Sequence, residues 1–397
     1  MVNAGHSCQG EKVPLFFLIA GEASGDLLGA RLMQGLKKKL NGRVFFSGIG
    51  GPRMQAEGLQ VFFPQAELAH FGVFEVLRHI PHILKRIRQT IAEVKRLHPT
   101  ALITIDAPDF SFRVAKQLKD AGIPLIHYVA PTVWAWRPGR AKKIAAFLDH
   151  LLVLLPFEPP YFTRESLGCT FVGHPIVEGS IGHGDAERFR EKHNIPKGAS
   201  LLAVLPGSRR GELARLMPVF AATIERLKQK HPALRVVIPA APGFADAIRE
   251  QTRAWPVPVT ITEDDQDKYD AFAAARASLA CSGTVALELA MTRLPSVIAY
   301  KISPLTYAAF RRFIRIKYVN LVNLMHDKLV VPEFIQQNCT PDNLAQACDE
   351  LLTNESARHE QITGLAAVAG WLGQGQFIPS DRAAETVLRV AMEHHHD

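Results

Sequence analysis

Short apolar runs, each closed by Gly, Pro or Asp and followed by a longer stretch of helical periodicity, constrain this chain more than any other feature. Leu15 to Ala20, Ala101 to Ile105, Leu125 to Val129 and Leu151 to Leu155 form one such series. Runs of this length read as buried strands, and strands alternating with helices make βαβ units around a parallel sheet. After Phe171-Val172-Gly173-His174-Pro175 the rhythm lapses into a polar stretch, Glu178 to Ser200, where we expect the domain junction. A second series follows: Leu201 to Leu205, Arg235 to Ile238, Val257 to Ile261, Ser278 to Cys281 and Ser296 to Tyr300. From Pro341 onward the pattern is helical, with Trp371 and Leu372 marking a tail that docks on a core. The fold class is therefore α/β, with two doubly wound, Rossmann-like parallel-sheet domains, as the length of 397 residues also suggests. Ligands of such sheets bind at the carboxyl ends of the strands, so two domains face to face would share a cleft, and the loops after the strands matter most.

Composition narrows the setting. The five cysteines are scattered with no CxxC pair, which argues against a disulfide framework or a zinc knuckle and fits a reducing compartment. The run Val13 to Ala20 enters a glycine-rich loop and reads as a strand, not a signal peptide. No stretch approaches the roughly 18 apolar residues needed to span a bilayer. A formal charge of +8 favours anionic partners: nucleic acid, anionic lipid or phosphorylated substrates.

Two loops of the second series suit an anion. Pro206-Gly207-Ser208-Arg209-Arg210-Gly211-Glu212 follows a buried strand and opens a helix, where free amides and the helix dipole meet negative charge and Arg209 adds a guanidinium fork. Solvated arginines on an ordinary turn are the plain alternative. Ser282-Gly283-Thr284 precedes the helix Val285 to Thr292, which Ser282 or Thr284 is expected to cap. Glu288, one turn beyond Thr284, can accept hydrogen bonds from a ribose diol or simply face solvent.

In the first series, Gly21-Glu22-Ala23-Ser24-Gly25-Asp26 and Gly48-Ile49-Gly50-Gly51-Pro52 are glycine-rich without the Rossmann or Walker spacing. Each lets a ligand approach or merely turns tightly. Glu22, Ser24 and Asp26 are candidate acceptor-side residues on the first of these reasons. Asp106 and Asp109, at the end of an apolar strand, are candidate acids. Asp109 is the favoured general base, and Asp106 is equally a turn former. Trp134, among the aromatics that follow the strand ending near Tyr128, lines a sugar or acyl pocket or belongs to the core. Asp265-Gln266-Asp267 matches a DxD metal pattern but sits in a polar run, Glu263 to Asp270, that reads as a solvated loop, so no metal site is assigned. Phe74 to Leu97 and Phe310 to Tyr318 are basic and amphipathic; they lie on an anionic bilayer or bury their apolar faces at home.

In order, Gly21 to Asp26, Gly51-Pro52-Arg53-Met54, Asp106-Ala107-Pro108-Asp109-Phe110, His127 to Arg137, Leu155-Pro156-Phe157-Glu158, Leu205 to Arg209 and Ser282-Gly283-Thr284 resemble the lipid-A-disaccharide synthases, a match running from about Val13 to Pro332. The resemblance implies a GT-B glycosyltransferase with no cofactor, whose final helices return to the first domain. It gives an acceptor-binding domain at 11–176 completed by 365–397, and a donor domain at 177–364. It implies an inverting transfer from UDP-2,3-diacylglucosamine to 2,3-diacylglucosamine 1-phosphate, with Asp109 as base. Gly207, Ser208, Arg209, Ser282, Gly283, Thr284, Glu288 and Asn323 would hold the donor. A cytoplasmic protein on the inner face of the inner membrane is the expected setting, and a homodimer is admitted. Ala23 stands where the family often has Thr, and the tail beyond about Asn338 aligns poorly. The rivals are another GT-B transferase or a UDP-sugar epimerase, and a peripheral membrane or RNA-binding protein. The last is disfavoured because no RNA-binding aromatic motif is present.

Overall fold

The computed structural model describes residues 13–69, 76–134, 139–179, 181–303 and 317–394. The chain divides into two compact units, 1–175 with 377–397, and 176–376.

The first unit is a seven-stranded parallel sheet in the order β3-β2-β1-β4-β5-β6-β7. Its strands are β1 (Leu15–Ala20), β2 (Phe45–Ile49), β3 (Leu59–Val61), β4 (Ala101–Ile105), β5 (Leu125–Tyr128), β6 (His150–Val153) and β7 (Gly168–Phe171). Central strands β1 and β4 are almost wholly apolar because helices cover both faces of the sheet. The helices are α1 (Ala23–Lys39), α2 (Pro52–Ala56), α3 (Ala66–Ala69), α4 (Val76–Leu97), α5 (Pro108–Leu118), α6 (Gly139–Ala145) and α7 (Pro159–Thr163). One face packs Leu32, Met33 and Leu36 of α1 with residues of the C-terminal helix; the other packs Ile87, Ile91 and Val94 of α4 against Val114 and Leu118 of α5. The described part of α4 thus spends its apolar stripe on the core, leaving Leu84 and Lys85 outward. Most of the second basic segment, Phe310 to Ile316, lies outside the described residues, as do Phe74, Glu75 and Trp136.

The second unit holds six parallel strands in the order β10-β9-β8-β11-β12-β13. These are β8 (Leu201–Leu205), β9 (Arg235–Pro239), β10 (Val259–Thr262), β11 (Ala277–Cys281), β12 (Ser296–Tyr300) and β13 (Glu333–Ile335). After α8 (Ala186–Lys192), its helices are α9 (Arg210–Lys230), α10 (Ala245–Thr252), α11 (Asp265–Ala274), α12 (Val285–Met291), α13 (Leu321–His326), α14 (Pro341–Thr353) and α15 (Glu355–Trp371). Helix α16 (Pro379–Glu393) returns to the first unit, where Ala383, Ala384 and Val387 enter its core and Lys38 pairs with Asp381 at 2.6 Å. The return begins at Phe377 rather than near residue 365, because α15 packs on α12 within the second unit.

Two local expectations need correction. Asp265-Gln266-Asp267 is not a solvated loop but the first turn of α11, capped by Asp264, which accepts from the Asp267 amide at 2.8 Å. Asp267 is buried and 3.0 Å from both Lys192 and His193, so its charge is consumed in packing α8 on α11. Nor does a side chain cap α12: Thr284 already has helical backbone angles and makes no capping bond, while the Ser282 hydroxyl reaches the Val319 carbonyl at 3.5 Å. Strands β3, β7 and β13, unmarked in the sequence, are short edge strands, where packing on one neighbour suffices without a full apolar run; β2, also unmarked, pairs with both β1 and β3, but Ser47 and Gly48 break its apolar run.

Candidate active site

The strand order of each sheet reverses once, although every strand runs parallel to its neighbours. In the first sheet the reversal separates β1 from β4, and in the second it separates β8 from β11. A crevice opens at such a switch point because the flanking crossovers leave on opposite faces. The loops beyond these four strands are residues 21–26, 106–110, 206–212 and 282–288, the segments singled out in the sequence.

In the second unit they wall a cavity of about 740 Å³ lined by Arg209, Glu212, Lys268, Ser282 and Glu288 among others. The amides of Gly283, Thr284 and Val285 have no acceptor among the described residues, which leaves a small cluster of donors at the cavity wall. Gly207 has φ +109, a left-handed conformation, and a Cβ there would come within 2.4 Å of Glu212 Oε2. Glu212, which closes this loop, was given no role from sequence. Its carboxylate accepts from the Ser208 amide at 3.0 Å and from Arg209 at 3.2 Å, reaching back over the start of α9 as the glutamate of a capping box does. The N-terminus of α9 is therefore partly filled by the protein's own carboxylate, and Arg209, with 82% of its side chain exposed, is the group left to reach outward. The Arg-x-x-Glu spacing was the available signal.

Glu288 lies at the cavity with its Oε2 3.2 Å from Lys268 Nζ. Asn323 does not. It is fully buried; its Nδ2 donates to the Val331 carbonyl at 2.7 Å, and its Oδ1 accepts from the Val330 and Val331 amides at 2.8 Å each. Those bonds, with Glu333 accepting from the Asn320 amide at 2.8 Å, tie down the segment whose Val319 carbonyl meets Ser282. The resemblance places Asn323 in contact with the donor, whereas here it supports the wall.

In the first unit the carboxyl ends of β1 and β4 are in contact: a Cβ at Gly21 would meet Ala107 Cβ at 2.4 Å, so only glycine lets the two loops approach. Asp106 and Ala107 both adopt left-handed angles, φ +52 and +44, which a non-glycine residue holds only where its surroundings enforce it. Asp106 Oδ1 accepts from the Ala107 amide at 2.9 Å, which makes it a turn former, and its Oδ2 lies 3.4 Å from the exposed Ser24 hydroxyl. This turn presents Asp109 in the first turn of α5, exposed, with no hydrogen bond or ion pair to a described residue. Glu22, the N-cap of α1, is exposed as well. Asp26 is 3% exposed and accepts from the amides of Gly51, Arg53 and Met54 at 2.8, 3.0 and 3.0 Å, so it fixes the second glycine loop rather than facing a ligand.

Trp134 is half-buried, edge-on to Phe157 at 5.4 Å. Next to Phe157 in sequence, and near Trp134 in space, sits Glu158, which burial raises to about 7 despite a 2.9 Å hydrogen bond from the Leu155 amide. Burial likewise lowers His127 to about 3 and His150 and His174 to about 4, leaving all three neutral at ordinary pH. Among the described residues no group of three or more His, Cys, Asp or Glu is disposed to hold a metal ion.

Two Rossmann-like parallel sheets, each with glycine-rich loops at its switch point, define the GT-B class of glycosyltransferase folds. Solved structures agree on the fold. The chain is similar to MurG of Acinetobacter baumannii (TM-score 0.56, 13% identity, covering 97% of this chain and 100% of that one) and to UDP-GlcNAc 2-epimerase of Neisseria meningitidis bound to UDP-GlcNAc (0.62, 10%, 96% and 100%). The lipid-A-disaccharide synthetase family model matches residues 16–377. Curated relatives named lipid-A-disaccharide synthase include those of Rhodospirillum centenum, 58% identical over 95% of this chain and 94% of that protein, and Paramagnetospirillum magneticum, 48% identical over 94% and 97%. The chain belongs to the lipid-A-disaccharide synthetase family, and is a glycosyltransferase of lipid A biosynthesis.

Proposed function

We propose that the enzyme condenses UDP-2,3-diacylglucosamine with 2,3-diacylglucosamine 1-phosphate, forming the β-1′,6-linked disaccharide 1-phosphate and UDP. The observation that carries this reading is the cavity between the loops after β8 and β11, where unpaired amides, a cation and a carboxylate converge. The 283–285 amides and Arg209 take the diphosphate, Glu288 takes the ribose, and Gly207 and Ser208 form the adjoining wall; Asn323 holds that wall from behind. The first unit supplies the acceptor side, with Glu22, Ser24 and Trp134 at its rim and Asp26 and Asp106 holding its loops in shape.

The reaction is a single inverting displacement. Asp109 takes the proton of the acceptor 6-hydroxyl while that oxygen bonds to the anomeric carbon. The bond from that carbon to the β-phosphate oxygen breaks, and its electron pair leaves with UDP. Charge growing on the leaving diphosphate is met by donors already in place, each worth roughly a few kcal/mol in comparable sites. Asp109 is exposed and makes no hydrogen bond or ion pair to a described residue, so its carboxylate is open to a hydrogen bond from the acceptor hydroxyl.

Acylated substrates call for contact with a membrane surface. No helix among the described residues is long and apolar enough to cross a bilayer. We place the enzyme on the inner face of the inner membrane, where its excess of basic residues meets anionic lipid. Flotation with anionic vesicles should be salt-sensitive; no association at either low or high salt rejects this placement.

Incubating the purified enzyme with both acylated sugars, with EDTA and no added metal, and following UDP and disaccharide by mass spectrometry tests the reaction. Both products should appear together. UDP binding without disaccharide would redirect the search to other acceptors, and absence of UDP binding would reject the donor site.

A further inference from the structure

Lys268 has no place in the reaction drawn so far, yet it stands in the donor cavity. It projects from α11 with its side chain 20% exposed, its Nζ 3.2 Å from Glu288 Oε2 and 3.3 Å from Asp265 Oδ1. The ammonium also lies 4.8 Å from the centre of the Tyr269 ring. Burial works against its charge, but Glu288, Tyr269 and Asp265 together outweigh that, and its pKa is raised. Among the described lining residues Glu212, Glu263, Asp264, Asp265 and Glu288 are acids, against the cations Arg209 and Lys268. Arg209 is already paired with Glu212. A sugar nucleotide diphosphate would enter a wall of like charge, and a free Glu288 carboxylate would both repel it and rotate.

We propose that Lys268 is a positioning residue for the donor: it neutralises Glu288 and fixes its Oε2, so that Oε1, which has no partner among the described residues, is aimed at the two ribose hydroxyls. The proposal rests on the reading of Glu288 as the ribose contact. It predicts that Lys268 governs discrimination between ribose and deoxyribose without touching either sugar.

The test is calorimetric binding of UDP and 2′-deoxy-UDP to the full-length enzyme and to its Glu288→Gln, Lys268→Met, Lys268→Arg and Glu288→Gln/Lys268→Met variants. Wild type should prefer UDP, and Glu288→Gln should abolish that preference. Lys268→Met should weaken UDP roughly tenfold, as expected for loss of an orienting charged hydrogen bond, and weaken 2′-deoxy-UDP by a smaller factor, that of the uncompensated Glu288 charge, so that the preference for UDP narrows. It should add little in the Glu288→Gln background, and Lys268→Arg should restore most of the preference. In turnover, Lys268→Met should raise the donor KM and spare the acceptor KM and kcat. Equal weakening of both nucleotides, or full additivity with Glu288→Gln, would mean that Lys268 meets the phosphates directly or acts only on folding, and would overturn the proposal. If Glu288→Gln keeps the wild-type preference, the ribose reading of Glu288 fails first and the proposal with it. Thermal melting of Lys268→Met against Lys268→Arg separates misfolding from lost orientation.

Discussion

The two units wind their sheets alike but finish their switch points differently. Beyond β1 and β4 the backbone is held in unfavourable angles at Asp106 and Ala107, buttressed by Gly21, and stitched by the buried Asp26. Beyond β8 and β11 the loops stand apart around a cavity, and the fixed features are side-chain pairs: Arg209 with Glu212 and Lys268 with Glu288. The first arrangement sets the position of one carboxylate, Asp109, by backbone geometry, and the second gathers paired charges around a cavity. On the proposed reading the difference has a reason: a proton transfer needs a group placed to within a fraction of an ångström, whereas an anion needs a field with several donors.

Acidification should break the comparison most deeply. The first unit contains His127, lowered to about 3, and His150 and His174, both lowered to about 4. A histidine held neutral stabilises the fold above its unfolded value of 6.5, and that stability is lost as pH falls toward the folded value. Glu158, raised to about 7 from 4.5, works in the opposite sense: its contribution is present below 4.5 and is lost as pH rises through 7. Three groups outweigh one between pH 6.5 and 4.5. In the second unit Asp270 is lowered to about 2, chiefly by its hydrogen bond to Arg188, so its contribution is lost only from 3.8 downward. Hydrogen exchange at pH 5 should therefore open the first unit before the second, and Glu158→Gln should remove the part of the stability lost as pH rises from 4.5 to about 7.

Asp109→Asn should lower turnover by roughly 10²- to 10⁴-fold with UDP affinity unchanged, the effect of removing a general base. Steady-state rates with UDP calorimetry check it, and near-wild-type turnover would reject the assignment. Asp26→Ala should cost about 3 kcal/mol of stability, because it leaves three loop amides without their acceptor, and should slow turnover only through the misplaced loop. Chemical denaturation measures it. The smallest effect is expected from Arg209→Ala: a donor KM raised about tenfold, since the side chain is largely exposed and screened in the absence of ligand.

Much of this was legible in the chain itself. The apolar runs specify buried parallel strands because only a sheet covered on both faces tolerates them, and four glycine-bearing or acidic loops could be assigned to strand ends by counting. Asp109 and Glu288 were visible as acids at such ends. Glu212 was half visible, through its capping-box spacing. Lys268 was not visible at all: it stands 20 residues before Glu288, and their meeting depends on how α11 and α12 pack around the sheet. Asn323 carried the opposite lesson, since a polar residue in a recognisable stretch proved to spend its hydrogen bonds on backbone.

The sequence by itself determined the fold class, the family and the loops in which chemistry resides, because periodicity and motif order are local properties that survive without coordinates. Tertiary structure decided which acids are free and which are spent, that the chain returns to its first unit at Phe377, and that burial leaves Glu158 near neutrality while silencing three histidines. Burial, pairing and proton affinity depend on neighbours brought together from distant parts of the chain, and no count along the sequence supplies them.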